Sequence, residues 1–339
     1  MDTESGFYDG YDFHPCYEIN NVSKTLGRTS SPICTLLYIF LGFLSVITVC
    51  GNLLVIISIV YFKQLHTPSN YLIVSLAVTD LLVGIVVFPL SMSFSLSFCL
   101  HFRDLFCKIR DSFDVVLSTT SIFNLCCISV DRYYAVCQPL AYRSKINTSV
   151  VLVMICMSWG VSVLVAIGFI VAELNQEKCQ ENCFSDVVLE KILAPIFSFY
   201  LPVIIMLYIY LRIYLVAQRQ ARSIQNAVKS GESVSNMERK ATKTLAIVMG
   251  VFLMCWFPFF LCFSFQLLGG VSVPVYETLN WLTLSNSMLN PFIYAFFYCW
   301  FRSAFRIIIS GKIFQVSTQL QLVLLRTTGQ TRYSVVVME

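Results

Sequence analysis

The fold is decided by the stretch from Cys107 to Pro139, which reads CKIRDSFDVVLSTTSIFNLCCISVDRYYAVCQP. Its interior is apolar enough to cross a bilayer, yet it contains the acid Asp114 and, eighteen residues later, the base Arg132. Eighteen residues make five helical turns, so both charges lie on one helix face, ~27 Å apart at ~1.5 Å per residue. A hydrocarbon core is ~30 Å thick. The stretch therefore predicts one membrane-spanning helix with an acid near one side and an arginine near the other.

The composition excludes a soluble globular protein. Of 339 residues, 57% are hydrophobic and only 12% are charged, whereas soluble domains average ~25% charged residues. Apolar runs occur at 34–62, 69–97, 104–137, 148–172, 187–216, 241–268 and 273–298. In lipid, backbone polar groups need internal partners, so such runs form helices. We expect an all-α membrane protein with a seven-transmembrane-helix bundle over residues 34–298 and no second domain.

The distribution of charge gives the orientation. Acids gather in the N-terminal tail and between residues 173 and 190, whereas basic residues gather in the alternate loops. Short basic loops stay in the cytoplasm, which predicts a multi-pass plasma-membrane protein with an extracellular tail (1–33) and a cytoplasmic tail (313–339). Basic loops that alternate with spans favour membrane lipids, and not nucleic acid, as partners. The sequon at Asn21 lies on the outer side and predicts glycosylation.

Residues 299–312 follow the last run and alternate apolar and basic side chains at helical spacing. This pattern predicts a short amphipathic helix on the inner membrane surface.

Each apolar run carries an unusual polar, tryptophan or proline residue. These are Asn52, Asp80, Asp114 with Asp131-Arg132-Tyr133, Trp159, Pro202 with Tyr210, Cys255-Trp256-Phe257-Pro258, and Asn290-Pro291-Phe292-Ile293-Tyr294. In this order they resemble the class A (rhodopsin-like) G-protein-coupled receptors across the whole seven-helix region. Residues 286–301, NSMLNPFIYAFFYCWF, resemble the seventh-helix signature of trace amine-associated receptors. Residues 131–137 and 311–315 look most like subtype 1 of that family.

The resemblance implies a receptor for trace amines, which are primary arylalkylamines of the phenethylamine or tyramine type. It implies signalling through a heterotrimeric G protein of the stimulatory type, with a rise of cyclic AMP. The alternatives are a class A receptor for another biogenic amine or for a non-amine ligand. A transporter or channel would predict internal repeats, broken helices or a polar pore stripe, and the sequence shows none. No metal-ligand cluster or nucleophile–base pair points to an enzyme.

Asp114 is the expected ligand-binding acid. A carboxylate in a low-dielectric site is costly unless it is paired, and a ligand ammonium would supply the missing cation. The alternative is a structural ion pair with Arg110, one turn nearer the surface. The resemblance adds further pocket residues, namely Ser118, Ser198, Trp256, Phe259, Phe260, Phe263, Asn280 and Trp281. Their aromatic rings suit an arylalkyl body and a cation, although an aromatic stripe also fits plain core.

Two positions depart from the family pattern. Leu284 stands where a tyrosine usually hydrogen-bonds the binding acid, and we expect Asn280 to compensate for that loss. Leu100 stands where the first outer loop usually has a tryptophan. Both departures bear on which ligand the receptor selects.

Four outer cysteines, Cys16, Cys107, Cys179 and Cys183, are candidates for disulfides in an oxidising compartment. The sequence alone permits three pairings of four cysteines. The resemblance implies Cys107–Cys183, which pins the second outer loop over the pocket, and Cys16–Cys179, which ties the tail to that loop.

At mid-membrane, the resemblance implies an allosteric sodium site formed by Asp80, Ser121, Asn286 and Asn290. Oxygen ligands suit a hard cation. The alternative is a hydrated polar network without an ion. No other cofactor is expected.

On the inner side, Arg132 is expected to pair with Asp131 and to reach Glu238, forming a latch of the kind that switching proteins use. Pro258 and Pro291 remove backbone hydrogen bonds and kink their helices. The residues that the resemblance assigns to coupling and switching are Asp131, Arg132, Tyr133, Pro139, Leu140, Tyr210, Glu238, Pro291 and Tyr294. The basic stretch 239–243 is expected to contact the G protein; positive-inside anchoring alone also explains it.

Overall fold

Seven long helical spans make up most of the molecule. The computed structural model describes residues 32–95, 103–176, 193, 195–227, 232–265, 273–297 and 299–311, and the elements in this part are all helical. In chain order, the spans are the first (Pro32–Tyr61), the second (Pro68–Leu82, continued by Val83–Val87 and Phe88–Ser95), the third (Arg103–Cys137), the fourth (Thr148–Gln176), the fifth (Ile196–Tyr200 and Leu201–Ala227), the sixth (Glu232–Phe265) and the seventh (Val273–Phe297). A helical turn, Lys63–Leu65, joins the first two spans. Two short helices, Pro139–Lys145 and Cys299–Ile309, follow the third and seventh spans.

The outer faces of the spans are apolar. In the described residues, six helices are long and apolar enough to cross a membrane. Large side chains such as Phe43, Leu164 and Ile204 are at least 60% exposed, as expected for residues that contact lipid tails. The seventh span is more polar, since Thr283, Asn286, Ser287 and Asn290 are all buried on its inward face. The predicted all-α, seven-helix membrane bundle is confirmed.

The third span is the axis of the bundle. It packs against the second, fourth and fifth spans, while the first packs against the second and seventh, and the sixth against the fifth and seventh. The main core cluster includes Ile122 of the third span, Leu76 of the second, Phe199 of the fifth and Trp256 of the sixth. Polar residues at both ends of the third span therefore face the interior of the bundle.

The first and seventh spans approach closely at a proline. Pro291 has no N–H, so the carbonyl of Ser287, four residues earlier, loses its helical donor. Asn52 of the first span replaces that donor, because its Nδ2 donates to the Ser287 carbonyl at 3.0 Å. Gly51 permits the contact, since a Cβ at this position would lie only 3.0 Å from the Pro291 ring.

The short helix Cys299–Ile309 has two unlike faces. Phe301, Ala304 and Ile307 are buried, and the helix packs against the first and seventh spans, whereas Arg302 and Arg306 are exposed. The helix ends in a turn at Gly311, whose φ of 68° favours glycine. The predicted tails, 1–33 and 313–339, lie outside the described residues apart from the first two residues of the first span.

Candidate functional site

The ligand-binding acid predicted from the sequence lies at the outer end of the third span. Asp114 is partly buried, and its Oδ1 accepts a hydrogen bond from Ser118 Oγ at 3.1 Å, one turn deeper. The neighbouring guanidinium makes its ion pair with a different acid, because Arg110 Nη2 lies 2.7 Å from Asp111 Oδ1. Asp114 is thus oriented by a hydroxyl, with an ion pair one turn above it.

An aromatic wall begins beside this acid. Tyr276 of the seventh span lies near enough to Asp114 for an electrostatic interaction, and its ring centroid is 5.2 Å from that of Phe259. Phe259 in turn contacts Phe260 edge-on at 5.6 Å and Phe263 at 6.4 Å. Sequence reasoning did not single out Tyr276; the available signal was its spacing, one turn outward from Asn280 on the same helix.

The wall continues deeper into the bundle, toward the expected floor of the ligand pocket. Phe260 stacks on Phe199 of the fifth span, with centroids 4.0 Å apart and planes within 5°, and it lies 6.1 Å from Trp256. Phe199 and the buried Ser198 belong to the π-helical segment Ile196–Tyr200. Such segments occur frequently at functional sites because they rotate side chains relative to an α-helix. Sequence reasoning did not single out Phe199, although it directly follows the predicted Ser198.

Leu284, one of the two positions that depart from the family pattern, is part of an apolar layer. Leu284 is only 2% exposed and packs with Leu117 of the third span, while Trp281 packs against the same cluster. The Trp281 ring lies 5.6 Å from Phe88 of the second span. Asn280 is partly buried, and among the described residues its side chain makes no hydrogen bond to the Asp114 carboxylate.

A second buried acid lies at mid-membrane. Asp80 is fully buried, and its Oδ2 accepts a hydrogen bond from Asn290 Nδ2 at 2.7 Å. The hydroxyls of Ser121 and Ser287 lie near the same carboxyl. Asn286, which precedes Ser287 in the seventh span, is also buried. Within the described ranges, Asp80 Oδ1, Ser121 Oγ and Asn286 Nδ2 lack hydrogen-bond partners of good geometry. Two unsatisfied oxygens fit a small hard cation or an ordered water.

The inner end of the third span carries a network centred on Asp131, which is 1% exposed. Its Oδ1 accepts hydrogen bonds from Ser69 Oγ at 2.9 Å and from Tyr142 Oη at 3.0 Å. Its Oδ2 lies 2.8 Å from Arg132 Nη2. Burial raises the pKa of Tyr142, so its hydroxyl stays protonated at neutral pH and donates to the carboxylate. Sequence reasoning missed Ser69 and Tyr142.

The remaining inner residues lie on several elements. Tyr210 of the fifth span accepts a hydrogen bond from Ser129 Oγ at 3.1 Å, Tyr133 packs edge-on against Tyr134, and Tyr294 is buried in the seventh span, one turn after Pro291.

The second inner loop is open to solvent. Pro139 begins the short helix Pro139–Lys145, and Leu140 is 98% exposed. Glu238 and the basic stretch 239–243 belong to the sixth span, but their side chains lie outside the described part of the structure, so the Arg132–Glu238 contact stays a prediction.

Comparisons with known proteins agree with this geometry. The profile described as "7 transmembrane receptor (rhodopsin family)" matches residues 51–294. Trace amine-associated receptor 1 of Macaca mulatta is 46% identical over 322 residues, covering 88% of this chain and 95% of the relative. Trace amine-associated receptor 4 of Rattus norvegicus is 42% identical, covering 87% and 91%. Trace amine-associated receptor 9 of Rattus norvegicus is 40% identical, covering 89% and 95%.

The chain belongs to the trace amine-associated receptors. The resemblance to class A receptors and to this family, predicted from the motifs, is confirmed. As a member of the family, the chain is a multi-pass membrane receptor that binds a small molecule and signals through a heterotrimeric G protein. It is not an enzyme.

Some residues predicted for this trace amine-associated receptor cannot be placed. Cys16, Asn21, Cys179 and Cys183 lie outside the described residues, and Cys107 is in the third span with its side chain outside them. Both disulfides and the glycan therefore stay predictions.

Proposed function

We propose that this receptor responds to trace amines, meaning primary arylalkylamines of the phenethylamine or tyramine type, and that Asp114 binds the ligand ammonium. The observation that carries the proposal is the carboxylate of Asp114, which is oriented by Ser118 at 3.1 Å. It lies near enough to Tyr276, the first ring of the aromatic wall, for an electrostatic interaction. An acid beside aromatic rings matches the two ends of an arylalkylamine.

Each end of such a ligand has a chemical partner in this pocket. The ammonium forms a charge-assisted hydrogen bond with Asp114, which is stronger than a neutral one. The aryl ring packs among Phe259, Phe260 and Trp256. The ring centroid of Phe260 lies 5.6 Å from that of Phe259 and 6.1 Å from that of Trp256. Ser198 is the hydroxyl predicted on the fifth span, which suits a ligand with one ring hydroxyl or none.

Binding at the floor would reach the inner end through the sixth span. The Trp256 ring lies 6.4 Å from Phe252, one turn deeper, and both belong to the main core. We propose that repacking of these rings moves the inner part of the sixth span, which releases Arg132 from Asp131 to meet the G protein. We propose a stimulatory G protein, with cyclic AMP as the product of signalling.

The membrane orientation completes the proposal. We infer an extracellular N-terminus that carries a glycan on Asn21, with the bridges Cys107–Cys183 and Cys16–Cys179 over the pocket. The short acidic and basic loops support this orientation.

A ligand screen tests the proposed function. In cells that express the receptor, phenethylamine and tyramine are expected to raise cyclic AMP, because both supply an ammonium for Asp114. The matched control is 2-phenylethanol, which has the same aryl body with a hydroxyl in place of the amine and is expected to give no response. A response to phenylethanol with equal potency would favour the alternative of a non-amine ligand, and a response confined to other biogenic amines would favour the other alternative.

We further propose that sodium binds at Asp80, with Ser121, Asn286 and Asn290. The two oxygens without partners, Asp80 Oδ1 and Ser121 Oγ, support this site. The ion would neutralise the buried carboxylate and hold the third and seventh spans together, so it would favour the resting arrangement.

We expect agonist binding to be weaker in sodium chloride than in N-methylglucamine chloride, and we expect Asp80→Asn to remove that difference because it removes the charge that attracts sodium. Competition binding in both salts at equal ionic strength measures the effect. Equal agonist affinity of the unmodified receptor in the two salts would exclude the sodium site and leave a hydrated polar network.

A further inference from the structure

The outer end of the third span holds three charged side chains within five residues, Arg110, Asp111 and Asp114. On a helix, side chains four residues apart face each other and adjacent ones do not, so Arg110 would be expected to pair with Asp114. In the structure, Arg110 Nε and Nη2 both donate to Asp111 Oδ1, at 2.9 and 2.7 Å. Asp114 Oδ1 accepts its hydrogen bond from Ser118 instead.

This choice of partner matters because Arg110 is near enough to Asp114 for their charges to interact. The side chains of Arg110 and Asp111 are 19% and 37% exposed, and ion pairs at such positions are weak and rearrange readily. If Arg110 turned to Asp114, its guanidinium would occupy the carboxylate that a ligand ammonium needs. A ligand that binds only receptors whose Asp114 is not paired with Arg110 has an apparent affinity equal to its intrinsic affinity multiplied by the fraction of such receptors.

We propose that Asp111 is a positioning residue that holds Arg110 and thereby keeps Asp114 open to the ligand ammonium. Asp111 acts without touching the ligand. The inference rests on the proposed function, in which Asp114 binds an amine, and it assigns to Asp111 the control of amine affinity.

A double-mutant cycle tests this role. Asp111→Asn keeps the size of the side chain but removes the charge that pairs with Arg110 at 2.7 Å. The potency of phenethylamine in the cyclic AMP assay is therefore expected to fall about fivefold, the equivalent of ~1 kcal/mol. In receptors that already carry Arg110→Gln there is no guanidinium to release. The same Asp111→Asn change is then expected to alter potency by less than about twofold, within the error of additivity.

The comparison of the two backgrounds separates this inference from a general charge effect. If Asp111 acted only through its own negative charge near the ligand, Asp111→Asn would cause the same fold-loss in both backgrounds, and that result would overturn the inference. No loss in either background would also overturn it. Surface labelling of each variant corrects for expression.

Asp114→Ala in the same assay separates the inference from the proposed function. Suppose that Asp114→Ala loses the amine response, but that Asp111→Asn lowers potency equally with Arg110 and with Arg110→Gln. That result overturns only the role of Asp111. A full amine response in Asp114→Ala overturns the proposed function and the role of Asp111 with it.

Discussion

Asp114→Ala is expected to lower the potency of phenethylamine by at least about 30-fold, because removing one partner of a desolvated charge pair typically costs ~2–5 kcal/mol and each ~1.4 kcal/mol is a tenfold change. The ammonium would lie beside aromatic side chains without the carboxylate that Asp114 supplies. Cyclic AMP accumulation over a range of phenethylamine concentrations measures the loss.

Ser118→Ala is the matched control for that change. It removes the hydroxyl that orients Asp114 at 3.1 Å but leaves the carboxylate charge, so a loss of only about fivefold is expected, the effect of roughly 1 kcal/mol for one hydrogen bond. Both variants are expected to reach the cell surface, because both positions are only partly buried. Unchanged phenethylamine potency in Asp114→Ala, at normal surface level, would contradict the assignment of the ammonium to this acid.

The fold was predictable because lipid imposes a strong constraint on sequence. Long apolar runs marked each span, and their order and number agree with the helices. Hydrophobicity marks the membrane boundary and not the helix end, however. The fifth apolar run ends near residue 216, whereas the helix Leu201–Ala227 continues for three more turns. The sixth span begins at Glu232, two and a half turns before the run that starts at residue 241. Polar residues extend a helix beyond the bilayer at no solvation cost.

Charged candidates were predictable because a charge inside an apolar run stands out. Asp80, Asp114 and Asp131 were found in this way, and each has polar neighbours in the structure. Their partners were not predictable in this way. Ser69 lies in the first turn of the second span and Tyr142 in the short helix Pro139–Lys145, and both meet Asp131 only when these elements pack against the third span.

The side-chain rotamers of the site residues could not be predicted from the sequence either. Helical spacing places Arg110 on the same face as Asp114, one turn away, yet its guanidinium donates to Asp111. Which of two nearby acids an arginine selects depends on local solvent access and on competing donors such as Ser118, and neither follows from spacing. The same holds for Phe199, whose stacking on Phe260 requires the π-helical segment of the fifth span.

The second large effect is expected at Asp131. Asp131→Asn keeps an oxygen that can accept from Ser69 and Tyr142, but it removes the charge that holds Arg132 at 2.8 Å. If the latch restrains a resting state, basal cyclic AMP without ligand is expected to rise about fivefold to tenfold, the effect of ~1–1.4 kcal/mol on an equilibrium in which the active state is minor. Cyclic AMP per receptor at the cell surface is the measurement.

Two further variants distinguish loss of charge from loss of structure at the same site. Asp131→Ala removes the carboxylate that pairs with Arg132 at 2.8 Å, while the Ser69 and Tyr142 hydroxyls still lie 2.7 Å apart. Removing one partner of a buried ion pair typically costs ~3–5 kcal/mol. Asp131→Ala is therefore expected to lower the amount of receptor at the cell surface. Tyr142→Phe removes one neutral donor and keeps the ion pair, so its basal cyclic AMP is expected to stay within about twofold of the unmodified receptor. If Asp131→Asn left basal cyclic AMP unchanged at a normal surface level, the carboxylate would be a structural acceptor for the second inner loop, and the restraint on Arg132 would have to come from another element such as the sixth span.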